Sequence, residues 1–104
     1  MRKIINGKLY DTSTATVIGR YESGMVSDFS YTCETLYQKK TGELFLLGEG
    51  GPLTRYSKKC SDNSWGYGET IMPESELDKN ELQEWVSEHC SEDTYIKLFG
   101  PIAE

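Results

Sequence analysis

The chain has 104 residues, a net charge of −6 and 27% charged residues. This length is sufficient for one modest core, and we expect a single domain over residues 1–104, β-rich over 1–73 and helical over 78–99. No apolar stretch approaches the roughly 20 residues of a membrane-spanning helix, and the N-terminus lacks the apolar segment of a secretory signal, so we expect a cytoplasmic protein.

The first residues are typical of a β-hairpin. Asn6 and Gly7 both tolerate a positive φ, as the two-residue type I′ turn requires, and β-favouring residues lie on either side of them. A third strand is expected over residues 15–21. Residues 22–30 are rich in loop formers and are interpreted as a connection in which Met25, Val26 and Phe29 are apolar islands.

The clearest β-pattern in the chain is a second hairpin. Its strands are predicted over residues 34–40 and 43–47, and Leu44 to Leu47 is continuously apolar, which indicates a central strand. Residues 48–52 (GEGGP) are expected to be a loop, and they lack a phosphate-binding pattern. Residues 55–68 show neither the helical nor the strand repeat of apolar residues, and they are interpreted as a loop that carries binding residues. A short last strand is expected over residues 69–72.

Two helices are predicted after Pro73. Asp78 is the expected N-cap of the first helix, with Glu81 three positions later and a hydrophobic staple between Leu77 and Leu82. A second short helix is expected from Glu92 to residue 99, ended by Gly100-Pro101. The predicted fold class is α+β, with an antiparallel sheet of about five strands covered by one or two C-terminal α-helices.

The charge is distributed unevenly along the chain. Residues 1–60 carry nine Lys or Arg and six Asp or Glu, a balance of +3, whereas residues 61–104 carry two and eleven, a balance of −9. Glu81, Glu84 and Glu88 are expected on the exposed side of the first helix. Such a surface attracts cationic partners, although acidity can also serve solubility alone.

Residues with catalytic or metal-binding chemistry are few. His89 is the one histidine, and no serine or cysteine lies at a recognised nucleophile spacing from it, so we expect a protein that is not an enzyme and has no cofactor. Three cysteines at wide spacings favour reduced thiols. Zinc bound by Cys33, Cys60, His89 and Cys90 stays a weaker alternative, because no pair has the usual C-x₂₋₄-C spacing.

Aromatic and charged residues in the loops suit contact with another protein. Tyr, Trp and Arg are the residue types that most often anchor protein interfaces, although core packing explains each aromatic equally well. The candidate partner-binding residues are Glu49, Arg55, Tyr56, Trp65, Tyr67, Glu74, Glu76, Glu81, Glu84 and Glu88.

Several short motifs together form a familiar pattern. They are residues 4–12 (IINGKLYDT), 27–29 (SDF), 34–37 (ETLY), 40–43 (KTGE), 48–51 (GEGG), Trp85 and 98–100 (LFG). The pattern resembles a family of small proteins from mobile elements of Gram-positive bacteria, some of whose members are type II-A anti-CRISPR proteins, which inhibit Cas9.

The resemblance implies a protein that binds Cas9 or its guide-RNA complex in the bacterial cytoplasm and blocks assembly, DNA binding or cleavage without catalysis. It implies neither sequence-specific DNA binding nor a membrane role, and it leaves the oligomeric state open. An acidic face could then occupy a Cas9 site that normally holds phosphates. The alternatives are an accessory protein-binding module of a phage or conjugative element with another partner and, third, a small zinc-stabilised domain.

Overall fold

The computed structural model describes residues 1–103. Within these residues lie eight β-strands, one 3₁₀ turn and two α-helices. The strands are β1 (Arg2–Ile5), β2 (Lys8–Asp11), β3 (Thr16–Ser23), β4 (Thr32–Gln38), β5 (Leu44–Gly50), β6 (Lys58–Ser61), β7 (Ser64–Gly66) and β8 (Gly68–Pro73). The 3₁₀ turn is Glu74–Glu76, and the helices are α1 (Lys79–His89) and α2 (Glu92–Phe99). The α+β class is confirmed.

The opening hairpin is confirmed and forms a two-stranded ribbon of its own. β1 and β2 are antiparallel, and Ile5 pairs with Lys8 beside the turn. The backbone φ is 52° at Asn6 and 76° at Gly7. Both turn residues therefore have the left-handed conformation that a type I′ turn requires, which explains why this dipeptide predicts the hairpin.

The main sheet is antiparallel and has four strands in the order β3-β4-β5-β8. The predicted hairpin of residues 34–47 is confirmed as β4 and β5. β5 lies between β4 and β8, and all its residues from Leu44 to Leu47 are buried. The prediction of a central strand from its continuous apolar run is therefore confirmed.

Side chains of the main sheet contribute to two apolar clusters, because successive residues of a strand face opposite sides. On the helix side the buried cluster comprises Leu36, Leu44, Leu46, Leu82 and Val86. On the other side, which the opening hairpin covers, it comprises Tyr10, Phe45, Leu47 and Ile71. The helices thus pack on one face of the main sheet and the opening hairpin packs on the other.

Both helices begin at the predicted residues, and α2 also ends where predicted. The Asp78 carboxylate accepts hydrogen bonds from the backbone N–H groups of Asn80 at 2.8 Å and Glu81 at 3.1 Å. Ser91 caps α2 in the same way, and the helix ends at Gly100, where φ is 92°. These caps satisfy N–H groups that a helix start leaves unpaired, and they fix both helix positions. Neither described helix combines the length and apolar character needed to cross a bilayer.

The prediction of a loop over residues 48–52 is wrong for its first three residues. β5 continues through Gly48 to Gly50, and these residues pair with β4 on one side and β8 on the other. The ring of Tyr56 lies against Gly48, and the side chain of Thr54 lies against Gly50. Glycine occurs in this central strand because two side chains cross it where a β-carbon would not fit.

The prediction of an irregular loop over residues 55–68 is wrong in part. β6 and β7 form a two-stranded antiparallel ribbon in which Lys58 pairs with Gly66 and Lys59 with Trp65. The pairing is irregular between Lys59 and Ser61, and every residue of β6 is exposed. Without a buried side these strands lack the alternating hydrophobic pattern by which a strand is recognised in a sequence.

Candidate functional site

The exposed side of α1 carries a row of carboxylates, Glu81, Glu84 and Glu88, which we call the acidic stripe. All three residues are exposed, whereas the opposite side of the helix is buried in the core. Among residues 1–103, Glu81 and Glu84 have no cationic partner within 4.0 Å, and Glu88 has the Nε2 atom of His89 at 3.8 Å. The acidic stripe is thus largely unneutralised negative charge on a helix that packing holds in place.

The 3₁₀ turn before α1 adds two of the predicted acidic residues. Glu76 is exposed, as is Glu74. Glu74 also has a structural contact, because its Oε1 atom accepts a hydrogen bond from the backbone N–H of Leu44 at 2.9 Å. Glu74 therefore ties the turn to the start of β5, and Glu76 contributes charge next to the acidic stripe.

A carboxylate network that the sequence did not reveal joins the sheet to α1. Glu34 lies on β4 with 12% of its side chain exposed. Its Oε1 accepts a hydrogen bond from the indole Nε1 of Trp85 at 3.1 Å. Its Oε2 accepts hydrogen bonds from the Arg55 guanidinium at 3.0 Å and from the Tyr56 hydroxyl. We call these four residues the Glu34 network, and the shared carboxylate fixes the other three relative to each other.

Tyr56 and Arg55, both predicted to bind a partner, have different positions in this network. Tyr56 is 5% exposed, so its side chain is packed inside the protein and is not presented to a partner. Burial and the hydrogen bond to Glu34 raise the pKa of Tyr56 to about 12. The Arg55 side chain is 67% exposed, and its pKa is raised by the hydrogen bond with Tyr56 and by nearby Glu34. Arg55 can therefore still contact a partner.

Glu49 and Tyr67 meet on the sheet face opposite the helices. The Tyr67 hydroxyl donates a hydrogen bond to Glu49 Oε2 at 2.9 Å. Partial burial and this hydrogen bond raise the pKa of Tyr67 to about 12. Trp65 lies on β7 with 53% exposure. The structure thus divides the predicted residues among α1, the 3₁₀ turn, the Glu34 network, the opposite sheet face and the β6–β7 ribbon, and does not unite them in one site.

An exposed apolar surface at one end of the main sheet was not assigned from the sequence. Met25, Val26, Phe29 and Leu53 are each 69–75% exposed, and we call them the end patch. The backbone N–H of Leu53 donates to the carbonyl oxygen of Phe29 at 2.9 Å, which joins the two loops. Asp28 accepts a hydrogen bond from the Met25 N–H at 3.0 Å. Large exposed apolar side chains on loops that hydrogen bonds hold in place suit contact with another protein. In the sequence, the sign of this surface was the occurrence of Met25, Val26 and Phe29 in a connection that is otherwise polar.

The four residues considered as zinc ligands do not come together. Cys33 is buried on the sheet face away from the helices, and Cys60 is exposed on β6. Cys90 lies at the end of α1, where its sulfur approaches Gly19. Within residues 1–103, no group of three or more His, Cys, Asp or Glu side chains could hold a metal ion. The structure therefore does not bring Cys33, Cys60, His89 and Cys90 together as one set of metal ligands.

His89 and Cys90 are packed at the junction of α1 and the sheet. The His89 ring stacks on Tyr21 with centroids 4.3 Å apart and meets Trp85 edge-on at 4.9 Å. Burial raises the pKa of the Cys90 thiol, which favours the unreactive protonated form. The stacking of His89 on Tyr21 and the approach of the Cys90 sulfur to Gly19 attach the end of α1 to β3.

The site geometry is that of exposed charged and apolar surfaces on a firmly packed scaffold. Comparisons of the chain with protein-family models, with curated proteins and with solved structures find no match.

Proposed function

We propose that this protein is a non-catalytic inhibitor of the anti-CRISPR type, which binds Cas9 or its guide-RNA complex in the bacterial cytoplasm. The observation that carries the proposal is the acidic stripe of Glu81, Glu84 and Glu88. Cas9 holds nucleic acid in positively charged channels. A helix with three exposed carboxylates, of which Glu81 and Glu84 have no cationic partner within 4.0 Å among residues 1–103, suits such a channel by charge.

The spacing of the acidic stripe supports a competitive mode of binding. Its carboxylates are three and four positions apart, which is roughly 4.5 and 6 Å of helix rise. Phosphates of one DNA strand are about 3.4 Å apart along the duplex axis. The stripe therefore carries charge along a line, as a nucleic-acid strand does, at a lower density. It would compete for basic side chains without copying the phosphate spacing.

The rigidity of α1 also favours this function. The N-cap at Asp78 and the burial of Leu82 and Val86 fix the helix before any partner is bound. Binding through a preformed surface avoids the free-energy cost of ordering a segment. The protein can thus use its surface carboxylates without first folding on the partner.

Long-range attraction adds to the contacts. Residues 61–104 have a charge balance of −9, and residues 1–60 have +3. The excess of carboxylates in residues 61–104, which include the acidic stripe, attracts a basic surface and raises the association rate. Because exposed charges are screened beyond about 8 Å at physiological ionic strength, inhibition should weaken as salt increases.

A charge-matched pair of variants tests the role of the acidic stripe in a Cas9 DNA-cleavage assay. The E81Q/E84Q variant removes two stripe charges, and Gln is acceptable at both helix positions. The D62N/E69Q variant removes the same number of charges from exposed positions outside α1. We expect inhibition to fall at least about tenfold for the first variant and to stay within about twofold for the second. Equal inhibition by E81Q/E84Q and the unmodified protein would remove the acidic stripe from the mechanism.

The end patch favours a second candidate, an accessory module of a phage or conjugative element that binds a different protein. Its four apolar side chains lie on loops of the β-region, separate from α1. Apolar anchors of this kind dominate the affinity of many protein interfaces. In that case the F29S/L53S variant loses its partner, whereas E81Q/E84Q keeps it. The opposite outcome supports the Cas9 inhibitor.

A further inference from the structure

A cavity of about 510 Å³ opens where four segments meet: the β4–β5 turn, the 3₁₀ turn, the start of α1 and the end of α2. This volume lies within the range of roughly 300–1,000 Å³ typical of small-molecule sites. Its apolar lining continues the helix-side core. The apolar lining residues are Leu44, Leu77, Leu82, Leu98 and Phe99.

Two lysines at this cavity stand out against the local charge. Residues 61–104 contain eleven acidic residues and two cationic ones, Lys79 and Lys97. Both lysines line the cavity. Within residues 1–103, neither has a carboxylate partner within 4.0 Å, whereas Lys39 pairs with Glu43 at 3.0 Å. Both lysines of residues 61–104 thus lie at one cavity, and neither forms a direct ion pair with a carboxylate of residues 1–103.

Helix stability does not explain the position of Lys79. It is the first residue of α1, where the partial positive charge of the helix N-terminus disfavours a cation. Lys97 is in the last turn of α2, where a cation is favourable. A ligand that carries negative charge at the cavity would compensate the unfavourable placement of Lys79.

The other polar groups that line the cavity indicate how much negative charge a ligand can carry. Gln38 and Gln83 supply neutral amides. Glu74 also lines the cavity, and its Oε1 atom is engaged by the Leu44 N–H. Two lysines against one carboxylate leave a net charge of about +1, which matches a single anionic group. A strongly charged polyphosphate would be repelled by Glu74, and a purely apolar ligand would leave both lysines without a partner.

We propose that this cavity binds a small amphipathic monoanion, with its carboxylate at Lys79 and Lys97 and its apolar body on the leucine and phenylalanine lining. The proposal goes beyond Cas9 inhibition and does not depend on it. Medium-chain carboxylates have the required size and charge, and octanoate is a suitable probe.

NMR titration of the full chain with octanoate tests the proposal. We expect saturable shifts of the backbone amide signals of Leu82, Leu98 and neighbouring lining residues. Octanol, which has the same apolar body without charge, should bind more weakly, and octyltrimethylammonium should leave these signals unchanged. Absence of saturable shifts with octanoate at millimolar concentration, or equal binding of all three probes, would overturn the proposal.

Charge-matched lysine variants distinguish binding of octanoate at the cavity from non-specific attraction of the anion to positive charge on the protein. The K79Q/K97Q variant should weaken octanoate binding about fivefold or more, as expected for the loss of two exposed ion pairs. The K58Q/K59Q variant removes the same charge from exposed residues of β6 and should bind octanoate within about twofold of the unmodified protein. The proposal is contradicted by unchanged binding in K79Q/K97Q or by equal weakening in both variants.

Discussion

The ring of Tyr56 occupies the space beside Gly48 in which a β-carbon on residue 48 would lie. Gly48 pairs with Glu34 on the neighbouring strand, and the Tyr56 hydroxyl donates its hydrogen bond to the Glu34 carboxylate. The missing side chain on β5 thus gives Tyr56 access to a carboxylate on β4. This relationship joins loop 51–57, the central strands and, through Trp85, helix α1.

We expect the G48A variant to be strongly destabilised, because its new methyl group would displace the Tyr56 ring. The free energy of unfolding should fall by about 2 kcal/mol or more, in the range of overpacked cores. Urea unfolding of G48A and of the G66A control measures this. At Gly66 the one close neighbour is the flexible Cys60 side chain, so a smaller loss is expected. In a Y56A background the loss caused by G48A should shrink, and equal losses in both backgrounds would contradict the steric explanation.

Removal of the Glu34 carboxylate should destabilise the fold beyond the effect of an ordinary surface change. E34A leaves the Tyr56 hydroxyl and the Trp85 N–H without their acceptor, and buried groups left unpaired cost about 1–3 kcal/mol each. We expect a loss of about 3 kcal/mol in urea unfolding for E34A. The exposed E84A substitution on α1 should change stability by less than about 0.5 kcal/mol. Similar values for both variants would show that the Glu34 network contributes little.

Stability should decrease at alkaline pH because of Tyr56 and Tyr67. The pKa of each is raised from the ordinary value of 10.0 to about 12, by burial first and then by the hydrogen bond to a carboxylate. The fold favours the neutral phenols, so their contribution is complete below pH 10 and is lost as pH rises through about 12. Urea midpoints measured from pH 8 to 12 should fall less steeply for the Y56F/Y67F variant. Parallel profiles for the two proteins would contradict this assignment.

The N-cap of α1 should contribute measurably to the stability of the surface that we propose to be functional. D78A removes the acceptor of two backbone N–H groups and should cost about 1 kcal/mol. The exposed D62A substitution on the β6–β7 turn serves as the control and should be nearly neutral. Thermal or urea unfolding distinguishes the two. A neutral D78A variant would show that packing alone positions α1.

Local sequence patterns were sufficient to predict those turns, helix caps and strands that depend on residues close together in the chain. The Asn6-Gly7 turn, the Asp78 cap and the apolar run of β5 each depend on neighbours in the chain, and each was found where predicted. The physical causes, which are backbone φ, unpaired N–H groups and burial on two sides, are local ones.

The features that the sequence did not reveal depend on distant contacts. Trp85 and Glu34 are 51 positions apart, and no spacing rule relates them. To predict that β5 continues through Gly48 to Gly50, one must know which side chains cross the strand. Tyr56 was assigned to an interface from its residue type, although the fold buries it. The exposure of Glu81, Glu84 and Glu88 followed from helix period and was found as expected.

The most direct test of the central claim is size-exclusion chromatography of this protein with a type II-A Cas9, with and without guide RNA, combined with DNA cleavage by the same mixtures. We predict a stable complex in which cleavage is lost, and the dependence on guide RNA identifies the blocked step. Separate elution and full cleavage with several Cas9 orthologues would contradict the proposed function.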